Sequence, residues 1–165
     1  MQDAKSNKGI SIYEYSHDSR VMLVFLRHFG CTFCREMLSD ISKLRKSIEQ
    51  KGVMIVLVHM VGEDEAKNVL SEYGLDDLPR ISNPEMDLYT AWGLEQGTVS
   101  QLFGMKVWWR GLTAGVIKGH GIGWLKGNGF QMPGIFLLEN EKIIDQFIHD
   151  SAADRPNYWE IACCE

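Results

Sequence analysis

The chain has 165 residues, of which 45% are hydrophobic and 24% charged, with a formal net charge of -5. This length supports one domain with its own core, so residues 1–165 are interpreted as a single domain. The negative charge argues against nucleic-acid binding, and no apolar run is long enough to predict a membrane span. Four cysteines are too few for a disulfide-stabilised scaffold, and the N-terminus lacks the apolar core of a secretory signal. We therefore expect a cytoplasmic location, where a cysteine pair is more often catalytic or metal-binding than structural.

The first sixty residues predict a strand–helix–strand unit. Residues 21–26 form a continuous apolar run, which is typical of a strand covered on both faces. From Cys34 onward, apolar residues recur at helical spacing until Gly52 ends the pattern. Residues 53–58 are a second apolar run, which predicts a parallel neighbour of the first strand, joined to it by a right-handed crossover.

The remaining pattern is less regular. Residues 1–9 are polar and are expected to be loose. Residues 95–131 are rich in glycine and contain three tryptophans, and we expect a helical insertion over 86–131. The other predicted elements, in chain order, are a strand over 10–15, a helix over 63–73, a short strand near 80–81, a helix over 85–94, a hairpin of strands 135–138 and 142–149, and a helix that starts at 156.

The motif Cys31-Thr32-Phe33-Cys34 lies where the first apolar strand gives way to the helix. A thiol pair three residues apart at such a junction can store two electrons as a reversible disulfide. Cys31 falls at the helix start, where backbone N–H groups and the helix dipole stabilise a thiolate. Arg27, His28 and Arg35 are expected to add positive charge around it. Cys31 is therefore predicted to be the nucleophile.

Cys34 differs from Cys31 because it shares the apolar face of the helix with Met37 and Leu38. That face points to the core, so the second thiol is expected to be buried. A buried thiol is suited to resolving a mixed disulfide from the inside. The two cysteines are therefore predicted to have separate roles, in which Cys31 attacks and Cys34 resolves.

A metal site is the alternative interpretation of the cysteine pair. A structural zinc site usually takes four ligands, often from two Cys-x-x-Cys pairs. The sequence has no second pair of this kind, because Cys163 and Cys164 are adjacent. The pattern thus favours redox chemistry, for which no bound metal is expected, over a non-catalytic module that holds a metal at Cys31 and Cys34.

These features resemble the thioredoxin superfamily, and the motifs are most similar to its peroxiredoxin-like branch. That branch is grouped with the AhpC/TSA families and includes the selenoprotein L relatives and the peroxiredoxin-like 2 proteins. The similarity spans about residues 20–160 and is carried by Arg27-His28-Phe29-Gly30-Cys31-Thr32-Phe33-Cys34-Arg35-Glu36, Leu88-Tyr89, Gly93-Leu94, Trp108-Trp109-Arg110-Gly111-Leu112, Gly119-His120-Gly121, Gln131-Met132-Pro133-Gly134 and Ala153-Asp154-Arg155-Pro156.

The resemblance implies an α/β fold of the thioredoxin-like kind. This is a three-layer sandwich with a central mixed sheet, helices on both faces and a helical insertion before a cis-proline hairpin. The matching proline is Pro133, and its cis bond would place the backbone of Met132 beside Cys31, where it would pair with a bound substrate chain. Thr32 and Phe33, between the cysteines, would shape the same site.

The resemblance also implies thiol–disulfide oxidoreduction without a bound cofactor. Electrons would come from an external thiol donor of the thioredoxin or glutathione type, and the substrate would be a disulfide. The alternative is a thiol-dependent, antioxidant peroxidase. When the peroxiredoxin motif Thr-x-x-Cys is laid on this chain, Cys34 takes the peroxidatic position and Cys31 that of the threonine. The sequence therefore leaves open whether Cys34 or Cys31 attacks a peroxide.

Overall fold

The computed structural model describes residues 4–98, 128–151 and 153–163 and has an α/β fold. Within these residues the helices are α1 (Ile12–Asp18), α2 (Thr32–Gln50), α3 (Glu63–Ser71), α4 (Asp87–Ala91) and α5 (Tyr158–Ala162). The strands are β1 (Arg20–Phe25), β2 (Val53–His59), β3 (Arg80–Ser82), β4 (Gly134–Glu139) and β5 (Lys142–Ile148). The predicted strand–helix–strand unit is confirmed as β1, α2 and β2.

The strands form one mixed sheet in the order β3-β2-β1-β4-β5. β1 pairs in parallel with β2, and β2 pairs in parallel with β3. β4 runs antiparallel to β1, and β5 runs antiparallel to β4. In this register, Leu23 of β1 lies between Val56 of β2 and Phe136 of β4. β1 is therefore central, and the cysteine motif follows its C-terminal end.

Helices cover both faces of the sheet, which confirms the predicted three layers. Because side chains alternate along a strand, Met22 and Val24 of β1 face one layer, and Val21, Leu23 and Phe25 face the other. The first face packs against α2, α3 and α5, and the second packs against α1 and α4. All five of these β1 side chains are 0% exposed. The end of β1 that carries the cysteine motif is thus fixed from both sides.

The alternation over 10–15 predicts a strand, and this prediction is wrong. The segment leads into α1. Ser11 caps this helix, because its Oγ accepts the Glu14 N–H (3.2 Å) and Glu14 Oε2 accepts the Ser11 N–H (2.8 Å). Ile12 and Tyr15 lie three residues apart and both pack into the core from the helix. This reciprocal capping box and the helical spacing outweigh the short alternation.

The expectation of a loose segment over 1–9 does not hold for residues 5–9. Ser6 is buried, and its hydroxyl lies 3.0 Å from Tyr15 Oη. Asn7 donates its N–H to the Arg80 carbonyl (2.8 Å), and its side-chain oxygen accepts the Arg80 N–H (3.0 Å). These polar side chains are therefore used to anchor the segment beside the edge strand β3 rather than to solvate it.

The predicted insertion over 86–131 is described only at its two ends. α4 lies in its first part, whereas residues 99–127 lie outside the described residues. The bond before Pro133 is trans, since no cis peptide bond occurs among the described residues. The cis prediction is therefore wrong, and the chain enters β4 with the isomer that an X–Pro bond favours by about 0.5–1 kcal/mol.

The predicted hairpin is confirmed as β4 and β5. Asn140 and Glu141 connect the strands with φ values of 49° and 64°, the left-handed conformation that a type I′ turn needs at both central residues. The other predicted elements that the structure contains are α3 for the helix over 63–73, β3 for the strand near 80–81, α4 for the helix over 85–94, and α5 for the terminal helix.

Gly134 begins β4 and packs closely against Leu94. A Cβ added at Gly134 would lie 2.5 Å from Leu94 Cδ2, and Leu94 is itself buried. We expect Gly134→Ala to lower the free energy of unfolding by about 1–3 kcal/mol, the usual cost of overpacking a core. Urea denaturation measures this loss. The control is the same substitution in a Leu94→Ala background, because that change removes the methyl groups nearest the added Cβ; an equal loss from Gly134→Ala with and without Leu94 would contradict the steric explanation.

Candidate redox site

Cys31 lies at the N-terminus of α2, just beyond the end of the central strand. The Leu26 N–H donates to the Val58 carbonyl (2.8 Å), and the Cys31 N–H turns back to the His28 carbonyl (3.0 Å). Cys31 is the N-cap residue, with φ -79° and ψ 126°, and its carbonyl accepts the Arg35 N–H (3.1 Å). Its half-buried side chain therefore lies at the positive end of the α2 dipole.

Arg27 joins three parts of the site through one guanidinium group. Its Nη1 donates to Cys31 Sγ (3.1 Å), its Nε to the Gln131 carbonyl (3.2 Å) and its Nη2 to the Gly129 carbonyl (2.6 Å). Arg27 is only 6% exposed, so water screens this positive charge weakly. The geometry lets Arg27 stabilise negative charge on Cys31 Sγ and also fixes the loop before β4.

Cys34 has different surroundings from Cys31. Its side chain is 1% exposed, and its Sγ donates to the Arg27 carbonyl (3.4 Å). Burial, and to a lesser extent the neighbouring Cys31, raise the pKa of the Cys34 thiol well above its ordinary value. Cys34 is therefore a neutral thiol at physiological pH, and it needs a proton acceptor before it can act as a nucleophile.

His28 does not supply the positive charge that the sequence predicts there. Its side chain is buried, and this burial, with a smaller contribution from Arg27, lowers the pKa of His28 to about 4. The imidazole is therefore neutral at physiological pH. Arg35 is half-buried, and its Nε donates to the Phe29 carbonyl (3.4 Å). Positive charge at the Cys31 sulfur thus comes from Arg27, with no contribution from His28.

A neutral, buried His28 makes stability depend on pH. Between its unfolded pKa of 6.5 and its folded pKa of about 4, the unfolded chain binds a proton that the folded chain does not. The free energy of unfolding should therefore fall as the pH falls through this range, by about 2 kcal/mol at pH 5 for one such residue. Burial lowers the pKa of His59 to about 4 as well.

His28→Gln should accordingly remove about half of the pH dependence that these two histidines cause. Urea denaturation of the variant and the parent protein at pH 7 and pH 5 measures the difference. If the two proteins lose the same free energy of unfolding between these pH values, His28 is not the buried neutral group that the structure describes.

Phe33, Met132 and Ala153 pack as a small cluster beside the cysteine motif. The backbone of Met132 already has partners within the chain: its N–H donates to the Glu95 carbonyl (3.3 Å), and its carbonyl accepts from Gln131 Nε2 (3.3 Å). A substrate chain could pair with the Met132 N–H, as the resemblance implies, only by replacing its bond to Glu95, whereas the Met132 carbonyl has a second lone pair that can still accept. The fork of Arg27 instead connects the Cys31 sulfur to the carbonyls that precede Met132.

A small cavity borders Cys34. Its lining residues are Arg27, Phe33, Cys34, Glu36, Met37, Asp40, Pro133, His149, Asp154, Arg155 and Tyr158. Pro133, a predicted site residue, thus lines the same cavity as the buried thiol. Thr32, another predicted site residue, is the half-buried first residue of α2. Glu36 and Asp40 are only 3% and 8% exposed, which is unusual for carboxylates unless they are paired.

Sequence reasoning misses Glu36, Asp40 and Arg155 as site residues. Arg155 donates to both carboxylate oxygens of Asp40 (2.8 and 2.6 Å), and its Nη1 lies 3.7 Å from Glu36 Oε1. Both acids lie off the apolar stripe of α2, so helical periodicity places them on the solvent side. The motifs that contain Glu36 and Arg155 are part of the family resemblance, but that resemblance gives neither residue a role.

Neither a metal-binding group nor a membrane-spanning helix is found in the described part of the chain. Among residues 4–98, 128–151 and 153–163, no three His, Cys, Asp or Glu side chains lie in a group that could hold a metal ion. In the same ranges, no helix has the length and apolar character needed to cross a membrane. Cys31, Cys34 and Cys163 are free thiols.

Comparison with known proteins gives a family match over most of the chain and several similar proteins. The model of the AhpC/TSA family matches residues 1–147. The chain is 27% identical over 168 residues to the prostamide/prostaglandin F synthase of Danio rerio, an alignment that covers 98% of this chain and 81% of that protein. It is 26% identical over 97 residues to peroxiredoxin-like 2C of Bos taurus, covering 56% of this chain and 40% of that protein.

Solved structures show the same fold. The peroxiredoxin 6 of Arenicola marina superposes with a TM-score of 0.63 at 14% identity, covering 96% of this chain and 66% of that one. A yeast mitochondrial 1-Cys peroxiredoxin gives a TM-score of 0.64 at 14% identity, covering 96% and 68%. At this identity the likeness establishes the architecture, a peroxiredoxin type of thioredoxin-like fold.

Proposed function

The chain belongs to the AhpC/TSA family, and we propose that it is a thiol–disulfide oxidoreductase whose redox pair is Cys31 and Cys34. The observation that carries this proposal is the contrast between the two sulfurs. Cys31 Sγ is half-buried and accepts a hydrogen bond from the guanidinium of Arg27 (3.1 Å). Cys34 is buried, and its pKa is raised. One thiol is therefore suited to attack and the other to resolve.

The reaction has two exchange steps. In the first, the Cys31 thiolate attacks one sulfur of a substrate disulfide, the S–S bond breaks, one substrate thiolate leaves, and a mixed disulfide forms on Cys31. In the second, Cys34 loses its proton and attacks Cys31 Sγ. The mixed disulfide breaks, the second substrate thiolate leaves, and a Cys31–Cys34 disulfide forms. Two electrons pass to the substrate, and each released thiolate takes up a proton.

An external thiol donor must return the two electrons to the pair. We propose a donor of the thioredoxin or glutathione type, since the yeast mitochondrial 1-Cys peroxiredoxin with the same fold is described as resolved through the glutathione and thioredoxin systems. This cycle needs no bound cofactor, because thiols and disulfides exchange directly. A reducing compartment such as the cytoplasm would supply these donors.

Peroxide reduction is the second candidate, because the structural neighbours include peroxiredoxins. Cys31 would attack one peroxide oxygen, the O–O bond would break, and the alcohol would leave with a proton while Cys31 becomes a sulfenic acid. Cys34 would then form the disulfide and release water. The burial and raised pKa of Cys34 favour Cys31 as the attacking thiol here as well.

Turnover with a thioredoxin or glutathione system tests the proposal. The reduced protein is offered a model disulfide or an alkyl hydroperoxide, and NADPH consumption through the coupled reductase is followed. We expect turnover of the disulfide well above the rate that free cysteine gives at the same thiol concentration. A rate with the disulfide that is no higher than that of free cysteine would contradict the proposal. The same result with the hydroperoxide would contradict the second candidate.

A further inference from the structure

We propose that Gln131 and Tyr89 are positioning residues for the attack by Cys31, because together they fix the guanidinium of Arg27 at the Cys31 sulfur. The inference rests on the proposed thiol–disulfide function and names two further residues of its site. Four hydrogen bonds join five buried residues into a ring that closes through the peptide bond between the first and the last of them: Arg27, Gln131, Leu94, Tyr89 and Leu26.

The side chain of Gln131 supports the carbonyl that Arg27 uses. Arg27 Nε donates to the Gln131 carbonyl (3.2 Å). The side-chain nitrogen of Gln131, Nε2, has three carbonyl oxygens around it, those of Leu94 (2.8 Å), Met132 (3.3 Å) and Glu95 (3.4 Å). An amide oxygen in this place would face three acceptors, so only the NH₂ group fits there. Gln131 is therefore fastened by its side chain while its backbone holds Arg27.

Tyr89 completes the ring from α4. Its hydroxyl donates to the Leu26 carbonyl (2.7 Å), and the Val58 carbonyl lies 3.1 Å from the same oxygen. Burial raises the pKa of the Tyr89 phenol well above its ordinary value, so the hydroxyl keeps the proton that it donates. The Tyr89 carbonyl accepts the Leu94 N–H (2.9 Å). Because Leu26 directly precedes Arg27, the backbone and the guanidinium of Arg27 are both tied to the end of α4.

The ring restricts the motion of the Arg27 side chain. A long arginine side chain has many rotamers when it is free, and a working contact must be held to within about 0.5 Å. With the backbone and Nε of Arg27 both fixed, Nη1 is held at 3.1 Å from Cys31 Sγ. Breaking either link opens the ring and lets the guanidinium leave the sulfur for part of the time. The bond from Nη2 to the Gly129 carbonyl remains, so the loss should be partial.

Alkylation of Cys31 by iodoacetamide at pH 7 measures the effect, in a background where the other cysteines are serine (Cys34, Cys163 and Cys164). Gln131→Met and Tyr89→Phe should each slow alkylation about fivefold, because each removes one neutral hydrogen bond of the ring while the charge of Arg27 stays. Gln96→Met is the matched control. Gln96 is exposed and lies opposite Gln131 in an antiparallel bridge, and this variant should keep the rate of the parent.

Double variants with Arg27→Met show whether the effect passes through Arg27. Without the guanidinium, Gln131→Met and Tyr89→Phe should change the alkylation rate by less than about twofold, although each still removes the same local hydrogen bond. A purely structural role would give the same slowing in both backgrounds. The slowing should also shrink at pH 9.5, where a thiolate forms on Cys31 without help from Arg27.

Two results would overturn the proposal. One is the parent rate at pH 7 in either Gln131→Met or Tyr89→Phe, because the ring needs all of its links. The other is equal slowing with and without Arg27. Should Gln131→Met not fold, as urea denaturation would show, Tyr89→Phe decides, because it removes a single hydroxyl.

Failure of the proposed function gives a different result. Alkylation of Cys31 needs neither a disulfide substrate nor Cys34, so the rate ratios can be measured whatever the protein reduces. A parent protein that reduces a model disulfide no faster than free cysteine would overturn the function and leave the role of Gln131 and Tyr89 to be decided by these ratios.

Discussion

Cys31→Ser should abolish both disulfide reduction and peroxide reduction, because it removes the half-buried sulfur that Arg27 contacts at 3.1 Å. A serine hydroxyl is not a nucleophile toward disulfides at neutral pH, and buried Cys34 cannot replace it. We expect turnover to fall to the rate of the assay without protein. The coupled NADPH assay with a model disulfide measures this loss.

Cys34→Ser should allow the first exchange step and block the second. The first exchange proceeds, but no internal thiol releases the product, so the substrate remains as a mixed disulfide on Cys31. Intact-mass measurement should show one substrate half per chain, removable by dithiothreitol. Cys163→Ser is the matched control, because this thiol lies at the end of α5, and it should retain normal turnover. Normal turnover in Cys31→Ser would refute the assignment of the nucleophile.

Arg27→Met should slow the first attack by about 100-fold, which is the second of the large expected effects. The substitution removes the charged donor to Cys31 Sγ, and a hydrogen bond to a charged group is worth about 1.5–3 kcal/mol, here to the thiolate form that attacks. It also leaves the carbonyls of Gln131 and Gly129 without their donor, so some stability should be lost. The rate of Cys31 alkylation by iodoacetamide at pH 7, measured with Cys34, Cys163 and Cys164 replaced by serine, reports the effect on the sulfur.

Two further variants separate the charge of Arg27 from its shape. Arg27→Lys keeps the charge but cannot make three fixed bonds, so its alkylation rate should lie between those of Arg27→Met and the parent. Arg35→Gln removes a cation whose Nε donates to the Phe29 carbonyl, and it should change the rate less than about tenfold. Equal effects of Arg27→Met and Arg35→Gln would show that general positive charge, rather than the contact at 3.1 Å, controls Cys31.

The parts of the fold that the sequence predicts well are those with a strong local signal. The apolar runs over 21–26 and 53–58 are almost entirely buried as β1 and β2, because a central strand must be apolar on both faces. Helical phase also separates Cys34 from Cys31, since Cys34 is buried in the core and Cys31 is only partly buried against it. The strand over 10–15 fails because a four-residue capping box decides the local structure there.

The parts that the sequence does not predict depend on partners far along the chain. Arg27 binds the carbonyls of Gln131 and Gly129, which are 104 and 102 residues away. Every residue has a backbone carbonyl, so the residue type does not indicate which carbonyls accept from Arg27. Asp40 is buried because Arg155, 115 residues downstream, pairs with it. Periodicity alone assigns such an acid to solvent, and only the fold brings the compensating charge to it.

The neutral state of His28 illustrates the same limit. Its position next to Arg27 suggests a cluster of positive charge at the helix start, but burial lowers its pKa to about 4. Desolvation depends on which residues cover the ring in three dimensions, and the neighbouring residues in the sequence do not show this. The charge at the site therefore could not be counted from the sequence, although the residues that form it could be named.

The central claim is that Cys31 makes the first covalent bond with the oxidant. The most direct test is mass spectrometry of the reduced protein after brief reaction with a model disulfide or, separately, an alkyl hydroperoxide, followed by rapid alkylation and peptide mapping. We predict the first mixed disulfide or sulfenic acid on Cys31, while Cys34 is still alkylated as a thiol once the chain is denatured. A first adduct on Cys34 with Cys31 unmodified would contradict the claim.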